Sequence, residues 1–250
     1  MMAGRSKRSS SNEAPAAVGR PGTAPSSTWE GRVLDRSLGK ARQRSLEKAS
    51  AILHAAARLM ERTKGDAFTV QDVAAEAGQS LRSVYQHFGG KEDLFVAVFE
   101  EAMRVYANLL GEAVEQYDDP LDRLIAGVVS VAHLTKKSSQ GLVVAMTRLR
   151  MRLTETNPEK VAESTGPVTE ILRRLVVCAL EAGVVHDCDP DTVAFSLFAL
   201  GSAVTHAHFL GDTYALEMPS DTEFVRFCLR GMSADLPEDW IGRHGLGGRS

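Results

Sequence analysis

The chain has 250 residues, with 29 Lys and Arg against 32 Asp and Glu, so its net charge is only −3. That total argues against a uniformly basic nucleic-acid coat, while 44% apolar and 24% charged residues are a globular balance that supports a sizeable core. Three cysteines, Cys178, Cys188 and Cys228, form no C-x-x-C pair and are odd in number. They exclude a disulfide framework or a thiolate zinc site as the organising device and favour a reducing, cytoplasmic setting.

The charge is unevenly placed. Residues 1–44 hold nine basic and three acidic side chains and carry +6; residues 45–95 carry −1 and residues 96–250 carry −8. A polyanion partner is therefore expected at the N-terminal end, with the acidic body directed away from it. Residues 1–40 read as a disordered basic arm, rich in Ser, Ala, Gly and Pro. Pro15, Pro21 and Pro25 break the amphipathic helix that an organelle transit peptide requires, and no apolar run suggests a secretory signal. Arg36, Lys40, Arg42 and Arg44 precede the first expected helix, where an extended arm could enter a minor groove or simply remain solvated.

From Leu46 onward the apolar period is helical. Leu46, Ala49, Leu53, Ala56 and Met60, widened by Ile52 and Leu59, predict an amphipathic helix that stops at Gly65. Thr69 and Asp72 predict a capping box opening a short helix that buries Val70, Val73, Ala74 and Ala77 and ends at Gly78. Ser80 caps the next helix, from Leu81 to Phe88, with Val84 and Phe88 inward and Gly89-Gly90 closing it. A long helix runs from Lys91 to about Tyr117, with an expected inner stripe of Leu94, Phe95, Val98, Ala102, Val105 and Leu109. Further helices are expected near 121–137, 140–154, 158–183, 190–210 and 221–231, with proline starts after Asn157 and Asp189. The uncharged run from Thr192 to Gly211 is too polar for a lipid-facing span and reads as a buried helix, so no membrane partner is expected. The fold class is all-α: a helix-turn-helix domain over 41–90, a larger helical domain over 91–235 and a flexible tail over 236–250.

The two short helices have helix-turn-helix proportions. With Val84 and Phe88 inward, Arg82, Ser83, Gln86 and His87 fall on the outward side and Tyr85 at its edge. Arg can bridge guanine O6 and N7, and Gln can bridge adenine N6 and N7, in a B-DNA major groove. Lys91 stands at a new helix N-terminus, a place that favours phosphate oxygens.

The stretch Phe68-Thr-Val-Gln-Asp-Val-Ala-Ala-Glu-Ala-Gly-Gln-Ser-Leu-Arg-Ser-Val-Tyr-Gln-His-Phe-Gly-Gly-Lys-Glu-Asp-Leu-Phe95 closely resembles the DNA-binding domain of TetR-family transcriptional regulators. The resemblance rests on the threonine opening the second helix, the Ala-Gly turn with its capping serine, Tyr-x-His-Phe and Lys-Glu-x-Leu. It implies a homodimer that presents its third helices to a palindromic double-stranded DNA operator. It also implies a helical body that binds a small-molecule effector of unknown identity and provides the dimer contacts. By position it implies that Thr69, Tyr85, His87 and Lys91 contact phosphates and that Leu81, Arg82, Ser83 and Gln86 face base edges. Gln79 and Arg82 depart from the family's usual small residues, which leaves base preference open.

For the body, Val131, Leu134, Met146, Leu149, Leu175, Cys178 and Phe195 are candidates to line an effector pocket, with His133, Arg148 and Arg174 as polar anchors. Val193, Leu197, Leu200, Ala203, Phe224, Phe227 and Leu229 are candidates for a dimer interface. An enzyme is not expected: G-x-S-x-G, P-loop and H-E-x-x-H motifs are lacking, and His206 and His208, two apart, point to different sides of a helix. No cofactor or metal is expected. The alternatives are an activator, or a ligand- or protein-binding helical module without specific DNA recognition.

Overall fold

The computed structural model describes residues 29–65, 68–132, 139–210, 219–232, 239 and 243. Among these, the elements are α1 (Trp29–Thr63), α2 (Val70–Glu76), α3 (Leu81–His87), α4 (Lys91–Val114), α5 (Pro120–Ala132), α6 (Gln140–Thr156), α7 (Pro158–Glu181), α8 (Pro190–Leu210) and α9 (Asp221–Gly231). Every element is a helix, as the period of the apolar residues requires. The chain forms two compact units, Met1–Ser45 and Leu46–Ser250.

In the first unit, α1 starts at Trp29 rather than near Leu46, so residues 29–40, read from composition as part of an unstructured arm, are helical. The reason is local. Between Pro25 and Pro120 the sequence has no proline, and residues 32–44 are mostly Arg, Lys, Leu, Ala and Gln, which propagate a helix from their own propensity. Val33 and Leu38 are exposed, at 54% and 66%. Arg36, Lys40, Arg42 and Arg44 thus sit on a helix about 10–12 Å across, too wide for a minor groove of about 6 Å. Residues 1–28, the rest of the expected arm, lie outside the described residues.

The second unit has two apolar cores. The first, in what we term the head, joins α1, α2, α3 and the start of α4 through Ile52, Ala56, Val73, Val84, Leu94 and Phe99. Leu46 of the expected α1 stripe is 56% exposed, and Ile52, Ala55, Ala56, Leu59 and Met60 form the buried stripe instead. Three residues of α6, Ala145, Leu149 and Leu153, complete this core. The second core, in the body, is built from the distal half of α4 with α5, α7, α8 and α9. In it α7 is central, packing on α4, α5, α6 and α8. Met103 lies against both cores, so α4 passes from one to the other without interruption.

Side chains set the starts of α5 and α9. Asp119 Oδ1 accepts from the amides of Leu121 and Asp122 at 2.9 and 3.0 Å, and Ser220 and Glu223 form a reciprocal box opening α9. Burial shifts one expected stripe. Val105 and Leu109 are exposed, and α4 buries Tyr106, Ala107, Leu110 and Val114. The expected spacing followed a seven-residue repeat, from which a straight helix drifts by about 20° per repeat. Among the described residues, no helix is long and apolar enough to cross a membrane.

The close approach of α6 to α1 depends on Gly141, where an added Cβ would stand 2.5 Å from the backbone oxygen of Glu61. A carbonyl in a helix cannot yield as a flexible side chain can. Gly141→Ala is therefore predicted to destabilise the protein by about 1–3 kcal/mol, read as a lower midpoint in urea unfolding. An unchanged midpoint would show that α6 does not seat on α1 this closely.

Candidate nucleic-acid interface

The presentation of α3 begins with α2. The Thr69 hydroxyl accepts from the Asp72 amide at 3.2 Å, while the Asp72 carboxylate accepts from the Thr69 amide and hydroxyl, each at 2.7 Å. These bonds, the backbone one foremost, hold Asp72 below the usual carboxylate range. At the other end of α2, Gly78 takes φ +61°, the left-handed conformation that reverses the chain, and Gln79 donates to the Ala74 carbonyl at 2.9 Å. Ser80 then caps α3 by accepting from the Ser83 amide at 3.1 Å. Each such cap contributes on the order of 1 kcal/mol.

Val84 anchors α3 in the head core, at 1% exposure. Arg82, Tyr85 and Gln86, spaced three and four apart, form its exposed face, with Leu81, Ser83 and His87 half-buried beside them. Arg82 pairs with no carboxylate among the described residues, so its guanidinium stands ready for a partner. Ser83 donates to the Gln79 side chain at 3.4 Å, and both Thr69 protons are taken by Asp72. Those two expected contacts are thus occupied within the chain.

Lys91 is more deeply engaged than its position at a helix start suggested. Its Nζ donates to the Phe68 carbonyl at 2.6 Å and lies 5.3 Å from the ring centroids of both Phe68 and Phe95. Two ammonium protons remain for other acceptors. Glu76 at the end of α2, which sequence reasoning passed over, receives Arg58 at 3.0 Å and Arg62 at 2.9 Å from α1. The signal was readable: two arginines one helical turn apart, opposite the acidic end of a short neighbouring helix. These bonds, that of Arg62 first, hold Glu76 at about 2.

Several expected pocket residues are placed elsewhere. Val131 and Leu175 are buried in the body core, but Met146 and Leu149 belong to the head core. Phe195 is 69% exposed, Cys178 is exposed, and Arg174 is a surface partner of Glu170. Arg148 donates to the Lys64 carbonyl at 2.8 Å. His133 and Leu134 lie outside the described residues. Of the expected interface residues, Leu197, Phe224 and Leu229 are buried in their own chain, whereas Leu200, Ala203 and Phe227 face outward, joined by Phe195. The cysteines are free; burial pushes the Cys228 thiol up to about 12, and burial, then Asp189 and Asp187, raises Cys188.

This head is one that known proteins share. The family model for bacterial regulatory proteins of the tetR family matches residues 52–98. That match places residues 52–98 in a domain of tetR-family regulatory proteins, and the all-helical fold of the chain agrees with it. A tetR-family regulatory protein from Rhodococcus RHA1 has the same fold at 23% identity and TM-score 0.56, covering 75% of this chain and 98% of its own. The fatty acid degradation regulator FadR of Bacillus halodurans matches at 17% identity and TM-score 0.62, covering 75% and 97%. FadR of Bacillus subtilis, solved in complex with stearoyl-CoA, matches at 16% identity and TM-score 0.58, covering 74% and 95%. No curated protein matches the chain.

Glu76 is the acid-sensitive joint of the head. Because its carboxyl is held below its ordinary 4.5, its contribution is present above that value and fades as the pH falls toward about 2. Glu76→Gln is predicted to lower stability at neutral pH and to unfold alongside the unsubstituted protein near pH 2. Thermal melts across that range would show the two curves converging; a constant separation would remove Glu76 from the acid response.

Proposed function

We propose that this chain is a repressor that binds a palindromic operator as a homodimer and leaves it when a small-molecule effector enters the helical body. The observation that carries the reading is the exposed face of α3, where Arg82, Tyr85 and Gln86 project from a helix fixed by Val84 and a side-chain cap. In this role Arg82 and Gln86 read base edges in the major groove, flanked by Leu81 and Ser83. Tyr85, His87 and the two remaining protons of Lys91 contact phosphates and set register. Thr69 shapes the entry to α2 and contributes less directly to phosphate binding, since its donors serve Asp72.

Dimerisation follows from the outward apolar side chains Phe195, Leu200 and Phe227, which are 69%, 38% and 67% exposed. Stearoyl-CoA bound to a protein of this fold supports a body that takes small molecules. Release requires that the effector bind the DNA-incompetent arrangement better than the competent one, since equal affinity shifts nothing.

Selection of bound sequences from random DNA tests the proposal: an inverted repeat with half-sites about 34 Å apart, or slightly more, is expected, and enrichment of no sequence would overturn it. On the selected operator, Arg82→Ala should relax preference at one base position per half-site, costing about 1–3 kcal/mol there. Uniform weakening on all sequences would instead make Arg82 a phosphate contact. For the interface, Phe195→Asp combined with Phe227→Asp should shift the sedimenting species from two chains to one at micromolar concentration, and a retained dimer would place the interface elsewhere.

A further inference from the structure

Arg36, Lys40 and Arg44 recur every four residues in the N-terminal half of α1, and the helix turns that spacing into a row. At about 100° per residue each stands only about 40° around the axis from the one before, so the three share one side over about 12 Å of helix. Arg42 points nearly the opposite way. All four side chains are exposed. Among the described residues, no carboxylate pairs with any cation of the row.

Such a row works against the helix that carries it. Like charges four residues apart repel, and two such pairs follow one another here, on a segment that lies outside both apolar cores and leaves Val33 and Leu38 exposed. A polyanion relieves that repulsion. Duplex DNA carries about one negative charge per 1.7 Å of its axis, so a row of cations meets phosphates on any base sequence. A helix about 10–12 Å across also fits a major groove of about 12 Å or lies along its rim. An anionic lipid surface fits less well, because a helix lying in a membrane interface keeps its cations apart from a broad apolar face. Here Val33 falls between Lys40 and Arg44 around the axis, and Leu38 stands beside Arg42.

We propose that the N-terminal half of α1 is a second DNA-binding face, which holds the phosphate backbone of duplex DNA through Arg36, Lys40 and Arg44 without regard to base sequence. It goes beyond the operator reading of α3 and rests on that reading only for the premise that the chain binds duplex DNA. In an unstructured arm a spacing of four aligns nothing. The helix makes the row, so composition showed a diffuse positive charge and no surface.

Salt titration of the full-length protein on a labelled operator and on an unrelated duplex of equal length tests the proposal. Each phosphate contact contributes about 0.9 to the slope of log K against log salt. Arg36→Gln, Lys40→Gln and Arg44→Gln are combined in one variant, glutamine being as good a helix former as the residues it replaces. That variant should lose about 2–3 from the slope on both duplexes and bind both roughly tenfold or more weakly near ~0.1 M salt. The ratio of operator to unrelated binding should stay as it was, because the row reads no bases. Arg42→Gln, on the other side of the helix, should leave the slope unchanged. An undiminished slope in the triple variant, or as large a loss per charge in Arg42→Gln, would overturn the proposal while operator preference stands. Binding of neither duplex would remove both readings. Binding to phosphatidylserine–phosphatidylcholine vesicles that the triple variant loses, with its DNA slope intact, would assign the row to a lipid surface and overturn the DNA face.

Discussion

The Lys91 ammonium ties together parts of the head that are distant in sequence. It joins the Phe68 carbonyl, just before α2, to the first turn of α4, and it does so between two phenylalanine rings. Those rings also meet each other edge to face, with centroids 5.5 Å apart. The entry of α2 is thereby fixed to the start of α4, and the short α3 is held between them. A seven-residue helix has little stability of its own. Its orientation is inherited from this clamp, from Val84 and from the Glu76 joint to α1.

The same logic extends to the body. Neither core closes on the helices of its own sequence neighbourhood: α4 contributes to both, and α6 lends Ala145, Leu149 and Leu153 to the head while Arg150 reaches Phe198 on α8. A change in how α6 lies against α8 must alter its seat on α1 and α4, because packed interiors shift between discrete arrangements rather than deforming smoothly. This is the physical route that the proposed effector would use to change the spacing of the recognition helices.

Much of the fold was legible in the sequence, and the reasons are particular. Thr69 with Asp72, Gly78 and Ser80 define helix ends by local hydrogen bonding and a positive φ, so the boundaries of α2 and α3 follow from the residues themselves. Pro190 and the Ser220–Glu223 box do the same for α8 and α9. Legibility failed where tertiary packing decides. Val105 and Leu109 are as apolar as Tyr106 and Leu110, and only the position of α7 selects which pair is buried. Leu197 and Phe224 were interchangeable with Phe195 and Phe227 until the helices were placed. At the surface proposed to face DNA, residue types on α3 and the Thr69–Asp72 box were readable from their spacing, but the engagement of Lys91 was not, since its partner Phe68 is brought to it by tertiary packing rather than by order in the chain.

The sharing of α6 bears on how portable the DNA-reading module is. The matched segment, residues 52–98, does not complete its own core, because three side chains more than forty residues downstream form part of it. Cut out alone, it would leave Ile52 and Phe95 without part of the apolar cover they have in the whole chain. Exchanging heads between such proteins therefore means transplanting a patch of α6 as well, and a graft made at the end of the matched segment joins two surfaces never fitted to each other. The exposed side chains of α3 can change without disturbing this core, while the underside of the head is constrained by α6.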